Sequence, residues 1–342
     1  MLVVIGPGAI GSLVAGRLAQ AGEPVALLAR QATAARLRVE GVWLGPPGAL
    51  QRCNVPVISD RSELPADTTL RAILCVKGYD TEGALATLAA LHPIEILTLQ
   101  NGIGNEEALA AHFGNQRVVS GSITTSVEVE TIGQAVITKE GGIGVAALPG
   151  GPSVEPWVSL LVRAGFRTAS YSDYRAMKWS KALLNMFGNA TAAILDMPVA
   201  AIVANPPLLA VERGVFSETL TVMARLGMQP VNLPRYPAAL LASVVRYAPQ
   251  ALTNLILRRA VAGGRGGKPP SLHLDLARGN QRTEGQFLYG AVAETAAQHS
   301  IAVPLTAGLW RILSEIVSGA MPWEHFWHQP EVLLKGLGVG DQ

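Results

Sequence analysis

The stretch "VVIGPGAIGSLVAGRLAQAG", residues 3–22, constrains the fold more than any other part of the chain. A β-branched run, Val3-Val4-Ile5, precedes glycines at Gly6, Gly8 and Gly11. Apolar residues then recur at Ile10, Leu13, Val14 and Leu18, the three-to-four residue period of a helix. Strand, glycine turn and helix in that order predict the opening of a doubly wound α/β domain. A secretory leader would carry a basic n-region and an apolar core free of such glycines, so no leader is expected. The spacing alone marks any glycine-rich turn, and the strand before it and helix after it give it chemical meaning. In a dinucleotide-binding turn Gly6 permits the sharp bend, Gly8 lets a pyrophosphate approach the backbone, and Gly11 lets the helix press on the sheet. The amides of Ala9, Ile10 and Gly11 would then face the phosphates.

A chain of 342 residues exceeds what one core holds, so two domains are expected. In the first half "PVALLA", "RAILCV" and "EILTLQ" are short apolar runs bounded by turn formers, the pattern of buried parallel strands. From about residue 117 "RVVSGSIT", "QAVITKEG" and "GIGVAAL" predict an antiparallel portion appended to the same sheet. From about Tyr171 the strands give way to alanine- and leucine-rich helical periodicity, broken at Pro198, Pro206, Pro230, Pro234 and Pro249. The expected organisation is a Rossmann-type dinucleotide-binding domain over residues 1–170 and an all-α domain for substrate and dimerisation over 171–342. "AGGRGGKPP", residues 262–270, is expected to form a flexible basic loop.

A formal net charge of +2, with 15% charged residues and no basic tract, argues against nucleic acid or an anionic membrane as partner. The best candidate for a membrane span, "AAILDMPVAAIVANPPLLAV", is interrupted by Asp196, Asn205 and prolines. Cys53 and Cys75 lack metal-like spacing, so reduced thiols in the cytoplasm are expected. The six histidines form no ligand pattern, and no metal is expected; His325 and His328 sit in an aromatic C-terminal segment that suits a surface. The apolar helices make a homodimer the expected assembly.

Candidate chemistry gathers at strand ends. After "LLAR" a carboxylate would hold the ribose hydroxyls of NAD, whereas Arg30 can fork onto a 2′-phosphate, so NADP(H) is the expected cofactor. Lys77 in "CVKGYD" and Asn101 in "LQNGIGNEEAL" fall at the carboxyl edge where such sheets bind ligands, although a polar residue followed by glycine also serves simply as a turn. In "KWSKALLNMFGNA", Lys181, Asn185 and Asn189 are spaced i, i+4, i+8 and predict one polar stripe on an otherwise apolar helix. Buried polar groups need partners or a ligand, and a lysine so enclosed can have a lowered pKa and act as a general acid.

Taken together, "GPGAIG", "LLAR", "VKGYD", "LQNGIGNEEAL", "WSKALLN", "RTE" and "HSIAVP" resemble the ketopantoate reductase family, the 2-dehydropantoate 2-reductases that make pantoate for coenzyme A synthesis. The resemblance spans nearly the whole chain. It implies that Lys181 gives a proton to the ketone oxygen and that Asn101 helps to position nicotinamide and substrate. Asn185 and Asn189 would meet the polar groups of the substrate, Ser271 its carboxylate, and Glu284, the glutamate of the family's T-E-I-D motif, would be a catalytic residue beside Lys181 that also contacts the substrate. The chain departs from the family in "TEGQFLYG", where the motif's aspartate becomes Gln286 and a following asparagine becomes Tyr289. Those changes imply either another 2-oxo acid or a reorganised surrounding. A non-catalytic NADP(H) sensor would need the glycines and Arg30 but not the lysine-asparagine stripe. A hydroxyacid dehydrogenase of another kind would leave "LQNGIGNEEAL" unexplained.

Overall fold

The computed structural model describes residues 1–129, 131–264 and 270–339. Among the described residues twelve strands run in chain order as β1 (Leu2–Ile5), β2 (Val25–Leu28), β3 (Val42–Gly45), β4 (Gln51–Cys53), β5 (Val57–Ile58), β6 (Arg71–Leu74), β7 (Glu95–Thr98), β8 (Val118–Ile123), β9 (Ser126–Glu128), β10 (Gln134–Lys139), β11 (Ile143–Ala147) and β12 (Thr168–Tyr171). An eight-stranded sheet has the order β12-β11-β8-β7-β6-β1-β2-β5. From β5 through β8 its pairings are parallel, which suits runs such as Leu2–Ile5 that are buried along their whole length. Strand order reverses between β1 and β6, the switch point at which doubly wound sheets bind ligands.

The helix Ala9–Gln20 explains why the first glycines are spaced as they are. Gly11, Ser12, Leu13, Val14, Ala15, Gly16 and Leu18 are all buried, so this helix is covered on nearly every side. Besides β1 and β2 it packs on β3 and β10, which belong to a separate four-stranded sheet of order β4-β3-β10-β9. A Cβ at Gly16 would lie 3.1 Å from Cys53 Sγ and 3.2 Å from Leu44 Cδ2, so glycine there permits the close approach of this second sheet. Burying one leucine of such a core contributes roughly 1.5–3 kcal/mol.

The antiparallel extension expected after residue 117 is only partly of the kind anticipated. β11 pairs antiparallel with β8 in the main sheet, but "QAVITK" is β10 and leaves for the small sheet, parallel to β3. Burial explains the division. β8 is buried throughout, as a central strand must be, whereas β10 ends in exposed Thr138 and Lys139 and suits a sheet with one open side.

The chain divides into two compact units, Met1–Lys178 with Asn232–Pro237, and Trp179–Val231 with Ala238–Gln342. The division between these units falls inside the helix Tyr174–Met186. Asn232–Pro237 returns to the first unit, where Tyr171 Oη donates to the Asn232 carbonyl at 2.7 Å and Thr124 Oγ1 to the Pro234 carbonyl at 2.7 Å. In the second unit prolines open helices, as at Pro206–Arg225, Pro304–Val317 and Pro330–Gly336. Of the 262–270 segment, residues 265–269 lie outside the described residues; Ala262, Gly263 and Gly264 still belong to the helix Gln250–Gly264. Among the described residues no three His, Cys, Asp or Glu side chains gather as a metal site requires, and no helix is long and apolar enough to cross a membrane.

Candidate active site

In the first unit the carboxyl ends of adjoining parallel strands bring four loops to one edge. Gly6 to Gly8 follow β1, Arg30 follows β2, Lys77 follows β6 and Asn101 follows β7. Gly6 has φ +101°, and a side chain there would press on Val76 Cγ1 at 2.9 Å, so both conformation and space require glycine. A Cβ on Gly11 would run into the Gly6 carbonyl oxygen. Gly8 differs from both, because its Cβ would project into open space, the direction a pyrophosphate would take. The first helical hydrogen bond is Ser12 N–H to the Gly8 carbonyl at 2.9 Å, which leaves the amides of Ala9, Ile10 and Gly11 ahead of it as donors. Arg30 caps the helix Gln31–Glu40 through its backbone, its side chain exposed and without a protein partner among the described residues. Amide donors at a helix start and a free guanidinium fit the phosphates of a dinucleotide.

Lys77 is exposed and Asn101 half-buried. Their loops are joined by Gln100, whose Nε2 donates to Thr81 Oγ1 at 2.8 Å and to the Lys77 carbonyl at 3.4 Å. Asn105 Nδ2 donates to the Asn101 carbonyl at 2.9 Å. Beneath this turn lies a pair that the sequence reading missed. Lys178 Nζ is 3.0 Å from Glu106 Oε1 and donates to the Gln100 carbonyl at 2.5 Å, with Lys178 and Glu106 both buried. Ser120 Oγ donates to the same carboxylate at 2.8 Å. Burial pushes the Glu106 carboxyl above its ordinary range, against the pull of the Lys178 ammonium. The available signals were Glu106 in the first turn of a helix and a second lysine three residues before Lys181.

In the second unit the predicted stripe is broken. Lys181 and Asn185, both half-buried, lie on the helix Tyr174–Met186, whereas Asn189 opens a new helix, Asn189–Leu195, after Gly188 at φ +67°. The break has its own bracing. Gly188 N–H donates to the buried Glu212 carboxylate at 2.5 Å, and the Tyr289 hydroxyl donates to the Met186 carbonyl while accepting from Ala190 N–H at 3.0 Å. Asn189 is itself committed to protein: its Nδ2 donates to the Asn185 carbonyl at 3.0 Å and to Ser271 Oγ at 3.5 Å, and its Oδ1 accepts from Leu272 N–H at 3.3 Å. It thereby fixes the first turn of the helix Ser271–Ala277 and leaves Ser271 exposed at that helix start. Glu284 is buried, opening the short turn Glu284–Phe287 that Thr283 Oγ1 caps at Gly285 N–H, 3.2 Å. Of the two departures in "TEGQFLYG", Gln286 is exposed and Tyr289 is fully buried against the helix break.

Residues 2–150 match the family model described as ketopantoate reductase PanE/ApbA, and residues 173–317 match the model of its C-terminal part. The 2-dehydropantoate 2-reductase of Halobacterium salinarum is 31% identical over 322 residues, 92% of this chain and 97% of that protein. A PanE/ApbA family ketopantoate reductase from Ralstonia eutropha JMP134 superposes with a TM-score of 0.77 at 25% identity, covering 93% of this chain and 99% of that one. D-mandelate dehydrogenase, solved with NADH and anilino(oxo)acetate, shares the fold at a TM-score of 0.77 and 20% identity, over 93% of this chain and 99% of that one. Matched in both its sheet-bearing and its helical part, the chain belongs to the ketopantoate reductase PanE/ApbA family.

Proposed function

We propose that the chain reduces 2-dehydropantoate to pantoate with NADPH. As a member of its family it is an oxidoreductase of the 2-dehydropantoate 2-reductase type. The observation that carries the reading is the set of loops at one sheet edge, with bare amides after β1 and an unpartnered Arg30 after β2. Gly6, Gly8, Ala9, Ile10 and Gly11 would receive the pyrophosphate, Arg30 the 2′-phosphate, and Lys77 and Asn101 the nicotinamide end. Bound there, reduced nicotinamide supplies the hydride that the carbonyl carbon of the substrate accepts. Lys181 gives its ammonium proton to the carbonyl oxygen, completing the new hydroxyl. Ser271 takes the substrate carboxylate, Asn185 and Glu284 its polar groups, and Asn189 orients Ser271. The same reading includes the cytoplasm as compartment and a homodimer formed through the helices Ala238–Tyr247 and Gln250–Gly264, which expose Leu240, Tyr247, Leu252 and Leu255.

A panel of 2-oxo acids followed by NADPH oxidation tests the reaction. Ketopantoate is expected to have the highest kcat/KM. Its analogue with the hydroxyl replaced by hydrogen should fall behind by roughly 10–100-fold, the worth of a hydrogen bond to a charged group, and Glu284→Ala should abolish most of that difference. If the wild-type enzyme reduces both equally well, Glu284 does not read the hydroxyl and the substrate assignment loses its basis.

Titration with both nucleotides tests the cofactor, as a protein of the same fold was solved with NADH. Arg30→Ala should weaken NADPH binding by roughly 1.5–3 kcal/mol and leave NADH nearly unchanged. Equal weakening of both, or a wild-type preference for NADH, would remove Arg30 as the reader of the 2′-phosphate.

A further inference from the structure

We infer that Lys178 is a positioning residue for Asn101, gripping the carbonyl that precedes it. The inference rests on the reading of Asn101 as a contact at the nicotinamide end. Buried ion pairs are poor stabilisers, since an apolar side chain of similar volume usually serves the core as well. Packing alone therefore does not account for a lysine and a glutamate held at 4% and 1% side-chain exposure. What the ammonium does that an apolar group could not is reach two acceptors at once, Glu106 Oε1 at 3.0 Å and the Gln100 carbonyl at 2.5 Å.

That carbonyl begins a turn with little stiffness of its own, because Gly102 and Gly104 adopt φ +88° and +100°. Both carbonyls flanking the Asn101 residue are held by side chains, Gln100 O by Lys178 and Asn101 O by Asn105. Glu106 keeps the ammonium in place and is fixed in turn by Ser120. With Lys178 removed, the Gln100 carbonyl loses its side-chain anchor, the Gln100–Asn101 peptide can rotate, and the Asn101 side chain it carries is no longer held in one setting. Lys178 touches neither cofactor nor substrate in this account; it acts through Asn101.

The test uses the full-length protein with three variants, Lys178→Met, Lys178→Met/Glu106→Gln and Asn101→Ala, together with their combinations. The paired variant removes the stranded carboxylate charge, so that a folding failure of Lys178→Met alone does not stop the experiment. Amide hydrogen exchange of residues 99–105 in the nucleotide-free protein should speed up by about tenfold or more in the paired variant, with its melting temperature close to wild type. NADPH affinity should fall in Lys178→Met/Glu106→Gln, yet fall no further when Asn101→Ala is already present, the signature of residues acting as one unit. Unchanged exchange in this turn, or losses that multiply independently of Asn101→Ala, would overturn the inference, because a merely structural pair gives that result. Neither measurement needs a substrate. A wild-type protein inactive on ketopantoate would therefore sink the proposed reaction while these two readouts still decide the role of Lys178.

Discussion

Lys181→Ala is expected to lower turnover by about 10²–10⁴-fold while NADPH affinity stays close to wild type. The expectation follows from where the residue sits. Trp179, Ala182, Leu183 and Met186 around it are buried, so the helix Tyr174–Met186 is largely an apolar element, and Lys181 is its half-buried cation beyond the Lys178–Glu106 pair. Alanine keeps the helix and removes the proposed proton donor, so the expected loss belongs to the chemical step rather than to folding. Steady-state kinetics, with nucleotide binding measured separately, checks both parts. A variant with near-normal kcat takes Lys181 out of the mechanism.

What was legible in the sequence was local. The run Val3-Val4-Ile5, the glycines and the helical period after them all lie within twenty neighbouring residues, and the structure places strand, turn and helix there. The parallel strands β2, β6 and β7 showed themselves as apolar runs between turn formers. Elements defined by distant pairing did not. β3, β4 and β5 are two to four residues long and acquire meaning only when β10 arrives beside β3 and β2 beside β5. Lys178 drew no notice in the sequence because its partners, Glu106 and the Gln100 carbonyl, come from a loop and helix far earlier in the chain. The stripe failed for a related reason. Period alone carries Lys181, Asn185 and Asn189 down one continuous helix, but Gly188 turns left-handed, and the groups that hold it there, Glu212 and Tyr289, are remote in sequence.

Tyr289 is therefore the residue whose loss should be felt most in stability. It is fully buried, and its hydroxyl serves both sides of the break, the Met186 carbonyl before Gly188 and the Ala190 amide after it. Tyr289→Phe keeps the ring but strips the partner from two buried backbone groups, which should destabilise the protein by about 1–3 kcal/mol. Tyr289→Ala adds a cavity and should reach roughly 3–5 kcal/mol. Asparagine, the residue the family resemblance expects at this position, is too short to bridge the same two groups from the Tyr289 backbone, so Tyr289→Asn should resemble the alanine variant rather than the wild type. The break separates Asn185 from Asn189, which holds Ser271, so the phenylalanine variant should also raise KM for the 2-oxo acid while leaving NADPH affinity alone. Urea unfolding and steady-state kinetics read the two effects separately. A phenylalanine variant as stable as the wild type, with unchanged KM, would show that the hydroxyl is not the brace. The departure from the family at this position would then point to a changed substrate rather than to a reinforced helix break.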